Sequence, residues 1–258
     1  MELKKSIDSL LELEPFELSK ELKSKTILDL AKLQVEYHSK HCEEYGMWLK
    51  RKGFSPDNIK KIDDIPFLPS SIFKHVALSS NPVSQKIIRS SGTSSQLKSS
   101  INLDSSTSVN QTKALTKILK SFIGKNKKPF FIVDIEPKEA LSDDGSISAR
   151  LAGMQGYLLA SKSRTYLLDQ DEEGSLKINN DALSLLLETS SKEAVVVIGY
   201  TYMIWQYLAG NNNFKAQNLG RDSHLIHFGG WKKLQNLKKS KTELNAALKL
   251  KLNISEDN

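Results

Sequence analysis

Between residues 26 and 53, apolar and aromatic positions recur at helical spacing. Ile27, Leu30, Ala31, Tyr37, His38, His41, Tyr45, Trp48 and Leu49 fall along one face together with Gln34, which predicts an amphipathic helix. Thr26 and Asp29 read as a capping box at its start and Gly53 as its stop. Residues 62–74, IDDIPFLPSSIFK, break the pattern: Pro66 and Pro69 force an extended, turning path, so this segment reads as a connector. From residue 86 onward short apolar runs take over. Ile87-Ile88 and Ile101-Asn102-Leu103 predict two strands around a polar loop. Asp104 stands as the N-cap of a helix through Leu115, Ile118, Leu119 and Phe122 that ends near Gly124.

Beyond Gly124 strands and helices alternate. Residues 129–133, 194–198 and 225–228 read as buried strands, and residues 148–158, 181–187, 202–208 and 242–252 as helices. Continuous apolar strands separated by helices predict an α/β fold with a mixed or mostly parallel sheet covered on both faces. The expected organisation is an N-terminal helical segment and connector over residues 1–85 and an α/β core over residues 86–258, forming one continuous domain.

At 258 residues and 39% hydrophobic content the chain can bury a sizeable core. No apolar run approaches the roughly 20 residues that span a bilayer, and MELKKSIDSLLELEPF is too acidic and interrupted for a signal peptide. The expectation is a cytoplasmic protein. A single cysteine, Cys42, excludes an internal disulfide framework and a cysteine-rich zinc site. Its neighbours Glu43 and Glu44 oppose thiolate formation, so Cys42 reads as structural. His38 and His41 lie one helical turn apart with no third ligand nearby, which favours packing over a metal. The net charge of +7 invites a nucleic-acid reading. Lysines are interspersed with acids, however, and only residues 231–251 are densely basic, which argues against nucleic acid; an anionic nucleotide, an acidic protein or solubility accounts for the charge as well.

The sharpest chemical signal is residues 86–104, KIIRSSGTSSQLKSSINLD. Gly92 lets the backbone approach an anion; Ser90, Ser91, Thr93, Ser94 and Ser95 add hydroxyl donors, and Lys98 a mobile positive charge. A Walker A loop is excluded. Leu97 stands where its second Gly must turn, and the residues after Ser99 alternate like a strand instead of opening a helix. A Ser-rich surface hairpin is the alternative that composition alone leaves open. Ligands of such sheets gather beyond the carboxyl ends of the strands, where Asp134 and Glu136, Gly199-Tyr200-Thr201, and Gly229-Gly230-Trp231-Lys232 fall. Each of these also has a plain reading as a turn or a solvated strand end.

SSGTSSQLK resembles the phosphate loop of adenylate-forming enzymes, Ser-Ser-Gly-Thr-Thr/Ser-Gly-x-Pro-Lys. Ser90, Ser91, Gly92, Thr93, Ser94 and Lys98 match it, while Ser95 replaces its second Gly and Leu97 its Pro. Further segments resemble the acyl-protein synthetase (LuxE-type) family of that superfamily: Ile65-Pro66, Pro69 and Phe73-Lys74 before the loop; Ser148-Ala149-Arg150 with Gly153; Gly199-Tyr200-Thr201; and His227, Gly229, Gly230, Trp231 and Lys232. The resemblance implies an adenylate-forming-enzyme-like N-terminal domain that activates a fatty or other carboxylic acid with ATP and Mg²⁺ and passes the acyl group to a protein thiol, with a reductase as onward partner.

On that resemblance Thr93 and Lys98 are catalytic, and Ser90, Ser91, Gly92, Thr93, Ser94, Lys98, Thr201, Gly229, Gly230 and Trp231 hold the nucleotide. Arg150, Tyr200, His227 and Lys232 are assigned to the acid substrate, with no dedicated protein metal site. The family also carries a later Tyr-Gly-x-Thr-Glu-type segment, a C-terminal lid and an acyl-accepting cysteine. None of these is found here, and LKLKLNISEDN stands where the first is expected. A fragment, a split partner or a degenerate member is therefore expected. Two other classes remain: a nucleotide- or acyl-binding partner without turnover, and a basic adaptor for a polyanion.

Overall fold

The computed structural model describes residues 2–81, 86–90, 97–137, 147–220 and 222–254. In chain order these form α1 (Glu2–Glu12), α2 (Lys20–His41), α3 (Glu43–Arg51), β1 (Lys86–Arg89), β2 (Ser100–Leu103), α4 (Ser105–Ile123), β3 (Lys128–Val133), β4 (Ile147–Ser148) and α5 (Ala149–Leu158). There follow β5 (Ser161–Tyr166), β6 (Leu168–Gln170), β7 (Leu176–Ile178), α6 (Asn180–Ser190), β8 (Val196–Tyr200), α7 (Thr201–Ile204), β9 (His224–Phe228) and α8 (Lys241–Leu252). The chain divides into two compact units, Met1–Ile118 with Glu139–Tyr157, and Leu119–Lys138 with Leu158–Asn258. No helix of the described residues is long and apolar enough to cross a membrane.

In the first unit the helix expected from Thr26 to Gly53 is two helices. Ser19 caps α2, its hydroxyl accepting from the Leu22 amide at 3.2 Å, so Thr26 lies inside the helix and is not a cap. Cys42 adopts an extended backbone (φ −123°, ψ 105°) that ends α2 and opens α3. Glu43 and Glu44 then occupy the first turn of α3, where negative charge complements the helix dipole. The break resets the helical phase. Val35, Leu49 and Ile59 form the buried core with Leu28, Tyr45, Trp48, Phe54 and Ile65, whereas Ile27 and Tyr37 stay exposed. His38 and His41 are also exposed, which corrects their assignment to packing. His38 Nδ1 lies 2.7 Å from Ser80 Oγ, and His41 stacks on Tyr37 at 4.2 Å. Cys42 is buried, as a structural residue should be.

Helix α1 has no counterpart in the sequence-based expectations; its last carbonyls, Leu11 O and Glu12 O, accept from Lys117 Nζ of α4 at 3.2 and 2.7 Å. Asp104 caps α4 as expected, Oδ1 accepting from the Thr107 amide at 2.8 Å. Strands β1 and β2 pair antiparallel around the polar loop, and β4 adds to β1 in parallel.

The second unit is built on a four-stranded parallel sheet in the order β5-β3-β8-β9. Its two central strands are the apolar runs of the sequence. In β3, Phe130, Phe131, Ile132 and Val133 are at most 2% exposed, and in β8 Val196, Val197 and Ile198 are fully buried, as strands covered on both faces must be. The edge strand β5, SKSRTY, is polar along most of its length, so no apolar run betrays it. Leu186 of α6 and Leu244, Leu248 and Leu252 of α8 are among the residues buried with them. The fold is thus mixed α/β with a parallel sheet, as the alternation predicts.

Gly199 of β8 sits where a Cβ would come within 2.9 Å of Val133 Cβ and 3.3 Å of Ile204 Cγ1. Gly199→Ala is expected to cost about 1–3 kcal/mol through overpacking, while Gly230→Ala, whose Cβ would meet nothing within 4 Å, stays within about 0.5 kcal/mol of the parent; urea midpoints of the two variants measure the difference. A second expectation concerns pH. Partial desolvation where each ring packs holds His38, His224 and His227 below the ordinary histidine value, with the electrostatic influence of His41, Lys128 and Lys241 respectively adding to the effect. Their folded values lie below the unfolded value of about 6.5, so the unfolded chain binds more protons in the interval between. Stability is therefore fully present above about pH 7 and declines as pH falls through that interval. The urea midpoint should drop between about pH 7.5 and pH 5.5, and His224→Gln should make that drop smaller.

Candidate functional site

Chain order and spatial order of the parallel strands differ in an informative way. The chain runs from β3 outward to β5, then crosses to β8 on the other side of β3 and continues to β9. Neighbouring strands β3 and β8 are therefore the switch point, and their carboxyl ends are where open parallel sheets receive ligands. At the end of β3, Asp134 turns the chain, its amide donating to Ile132 O and its Oδ1 accepting from the Ile135 amide, both at 2.8 Å. Tyr166 ends β5 beside it; burial raises the phenol pKa, Arg164 opposes that, and Glu136 and Asp134 add to it. Tyr166 and Arg164 escaped sequence reasoning because a polar edge strand carries no periodic signal. Arg164 has a structural task, donating from Nη2 to Leu158 O at 3.0 Å at the end of α5.

On β8 and β9 the expected residues meet. Tyr200 is buried and packs edge-on against Phe228, its register partner, with ring centroids 4.7 Å apart. Thr201 opens α7 directly after the strand and is also buried. Its Oγ1 lies 3.0 Å from His227 Nδ1, 3.2 Å from Phe228 O and 3.0 Å from Gly229 O. One hydroxyl thus ties the start of the helix after β8 to the turn after β9. Gly229 adopts φ +76°, and a Cβ there would come within 3.0 Å of Tyr200 Cδ1, so both conformation and space demand glycine. His227 is exposed, yet desolvation where its ring packs and, secondarily, the Lys241 charge favour the neutral imidazole.

Beyond the turn, Trp231 is 7% exposed and meets Trp205 edge-on at 5.6 Å. Trp205 begins a π-helical turn, Trp205–Ala209, that continues α7; such turns are rare and recur at functional sites. Lys239 Nζ stands 5.8 Å from the Trp205 ring centroid. Lys232 starts the short 3₁₀ helix that follows Trp231.

The loop residues belong to the first unit. Ser91, Gly92, Thr93 and Ser94 lie outside the described residues. Ser90 and Ser99 close the loop's mouth: the Ser90 amide donates to Ser99 O and the Ser99 amide to Ser90 Oγ, each at 3.0 Å. Lys98 is exposed at the loop's exit. Arg150 is the second residue of α5. The structure therefore gathers Tyr200, Thr201, His227, Gly229, Gly230 and Trp231 at one sheet edge, while Ser90, Lys98 and Arg150 lie in the other unit. Among the described residues no three His, Cys, Asp or Glu side chains converge as a metal site.

Known proteins place this chain. Long-chain-fatty-acid–luciferin-component ligase of Photorhabdus luminescens is 35% identical over 63 residues, covering 24% of this chain and 50% of that protein. The chain spans about half the length of this curated relative. The family described as acyl-protein synthetase, LuxE, matches residues 2–258. The match takes in the serine-rich loop, the switch-point strands and the Gly-Gly-Trp turn alike, and the chain belongs to the acyl-protein synthetase, LuxE family.

Proposed function

We propose that this protein carries the nucleotide- and acid-binding part of an ATP-dependent acyl-protein synthetase, with an adenylate-forming-enzyme-like N-terminal domain. The observation that carries this reading is the family match across residues 2–258, which includes a hydroxyl- and lysine-bearing loop between paired strands β1 and β2. The relative from Photorhabdus is named as a ligase of a long-chain fatty acid and a luciferin component, and a fatty or other carboxylic acid is the substrate class proposed here.

In the proposed reaction a carboxylate oxygen attacks the α-phosphorus of ATP, the bond to the β-phosphate oxygen breaks and pyrophosphate leaves. The acyl carbon then passes to a protein thiol, the thiol proton going to solvent or a base and AMP departing with the mixed-anhydride oxygen. Such chemistry depends on positioning and on neutralising charge. Lys98, with Ser90 and the hydroxyls that follow it, including Thr93, would carry that charge on the phosphates. Exposure suits Lys98 to this, because a flexible ammonium reaches a bound anion as a point charge. Mg²⁺ favours phosphate and water oxygens with one or two carboxylates, so the nucleotide's phosphates would hold it, with Asp134 and Glu136, which follow β3 in sequence, the carboxylates proposed to assist. Thr201, Gly229, Gly230 and Trp231 are proposed for the nucleotide, and Tyr200, Arg150 and Lys232 for the acid.

The test is carboxylic-acid-dependent exchange of labelled pyrophosphate into ATP, with Mg²⁺ and a series of short and long fatty acids. Exchange is expected; ATP binding without exchange would instead make the chain a binding partner, and binding of polyanions that ignores ATP and falls steeply with salt would make it a basic adaptor. Lys98→Ala should weaken ATP binding about 10- to 100-fold, as loss of a charged hydrogen bond does, with an unchanged circular dichroism spectrum. Unchanged affinity in calorimetry would sink the loop assignment.

A further inference from the structure

The three contacts of the Thr201 hydroxyl fix the chemistry of His227. A hydroxyl has one proton to donate. Phe228 O and Gly229 O, at 3.2 and 3.0 Å from Oγ1, are carbonyl oxygens with none. Oxygens at those separations attract one another only with a proton between them, so the Thr201 proton serves this carbonyl pair. With the proton on that pair, the third contact, 3.0 Å to His227 Nδ1, is one the ring donates. His227 accordingly carries its proton on Nδ1, and in the neutral ring Nε2 is an unprotonated acceptor. Desolvation and, secondarily, the Lys241 charge favour that neutral form, and the residue remains exposed at the carboxyl end of β9.

An acceptor at this edge selects its ligand. Phosphate and carboxylate oxygens present lone pairs, which would face the lone pair of Nε2. Of the groups on ATP, the ribose hydroxyls and the base amino group donate. We propose that His227 Nε2 accepts a hydrogen bond from the nucleoside half of the nucleotide, with Thr201 as the positioning residue that sets its tautomer. This rests on the nucleotide-binding reading above and moves His227 from the acid substrate to the nucleoside.

The tautomer is read first, in the full chain without nucleotide, from the ring-nitrogen shifts in a long-range ¹H–¹⁵N spectrum. His227 should show protonated Nδ1 and unprotonated Nε2 near neutral pH. Thr201→Ser should keep that pattern and Thr201→Val lose it; should the valine variant fail to fold, the parent and serine spectra still decide. ATP should then shift the Nε2 resonance. Of 2′-deoxy-ATP, 3′-deoxy-ATP and purine riboside triphosphate, the analogue lacking the donor should bind about two- to tenfold more weakly, as for one neutral hydrogen bond, and leave Nε2 unshifted, which separates hydroxyl from amino. A protonated Nε2 in the free protein, or saturating ATP that leaves His227 unmoved, overturns the inference. Absence of any ATP binding overturns instead the nucleotide reading on which it rests.

Discussion

Pairing of β3 with β8 is the contact on which the second unit depends. Phe130, Phe131 and Ile132 lie opposite Val196, Val197 and Ile198, and none of these side chains is more than 2% exposed. Two strands buried on both faces satisfy their backbone groups only through neighbours, which is why polar β5 and half-exposed β9 flank them. The close fit leaves no room at Gly199, where Val133 and Ile204 already fill the space a side chain would take. Chain reversal at this pair creates the switch point, so the same interaction that stabilises the sheet also locates the ligand-binding edge.

At that edge, polar contacts take over from packing. Thr201 is buried, yet its hydroxyl has three partners, so it carries no unsatisfied desolvation penalty. Because those partners belong to the end of β9 and the turn after it and the hydroxyl to the start of α7, a single side chain ties the end of one strand to the helix that follows its neighbour. Trp231 and Trp205 extend the connection through an edge-on contact. A ligand arriving here would meet a surface whose hydrogen-bonding polarity is already set, an organisation that favours recognition by pre-arranged groups over induced fit.

The first unit relies on a smaller core and on helix-end chemistry. Val35, Leu49 and Ile59 anchor it, Ser19 and Asp104 cap α2 and α4, and Lys117 covers the open carbonyls of α1. Ser90 and Ser99 join the two strands beside the serine-rich loop through a reciprocal pair of bonds, giving that loop fixed ends.

What the sequence determined by itself was whatever depends on local pattern. The apolar runs of β3 and β8 announced themselves because strands buried on both faces exclude polar residues, and Asp104 and Gly124 marked the ends of α4 through local backbone chemistry. Ordered motifs likewise pointed to the family. The rest was decided by tertiary structure. Strand β5 is a strand only because β3 offers it an edge, so its polar sequence carries no sign of it. Across the break at Cys42, Leu49 of α3 joins Val35 of α2 and Ile59 in one core, a clustering the helical period does not specify. That His227 meets a buried threonine 26 residues away in sequence follows from strand register, which the pattern along the chain does not specify.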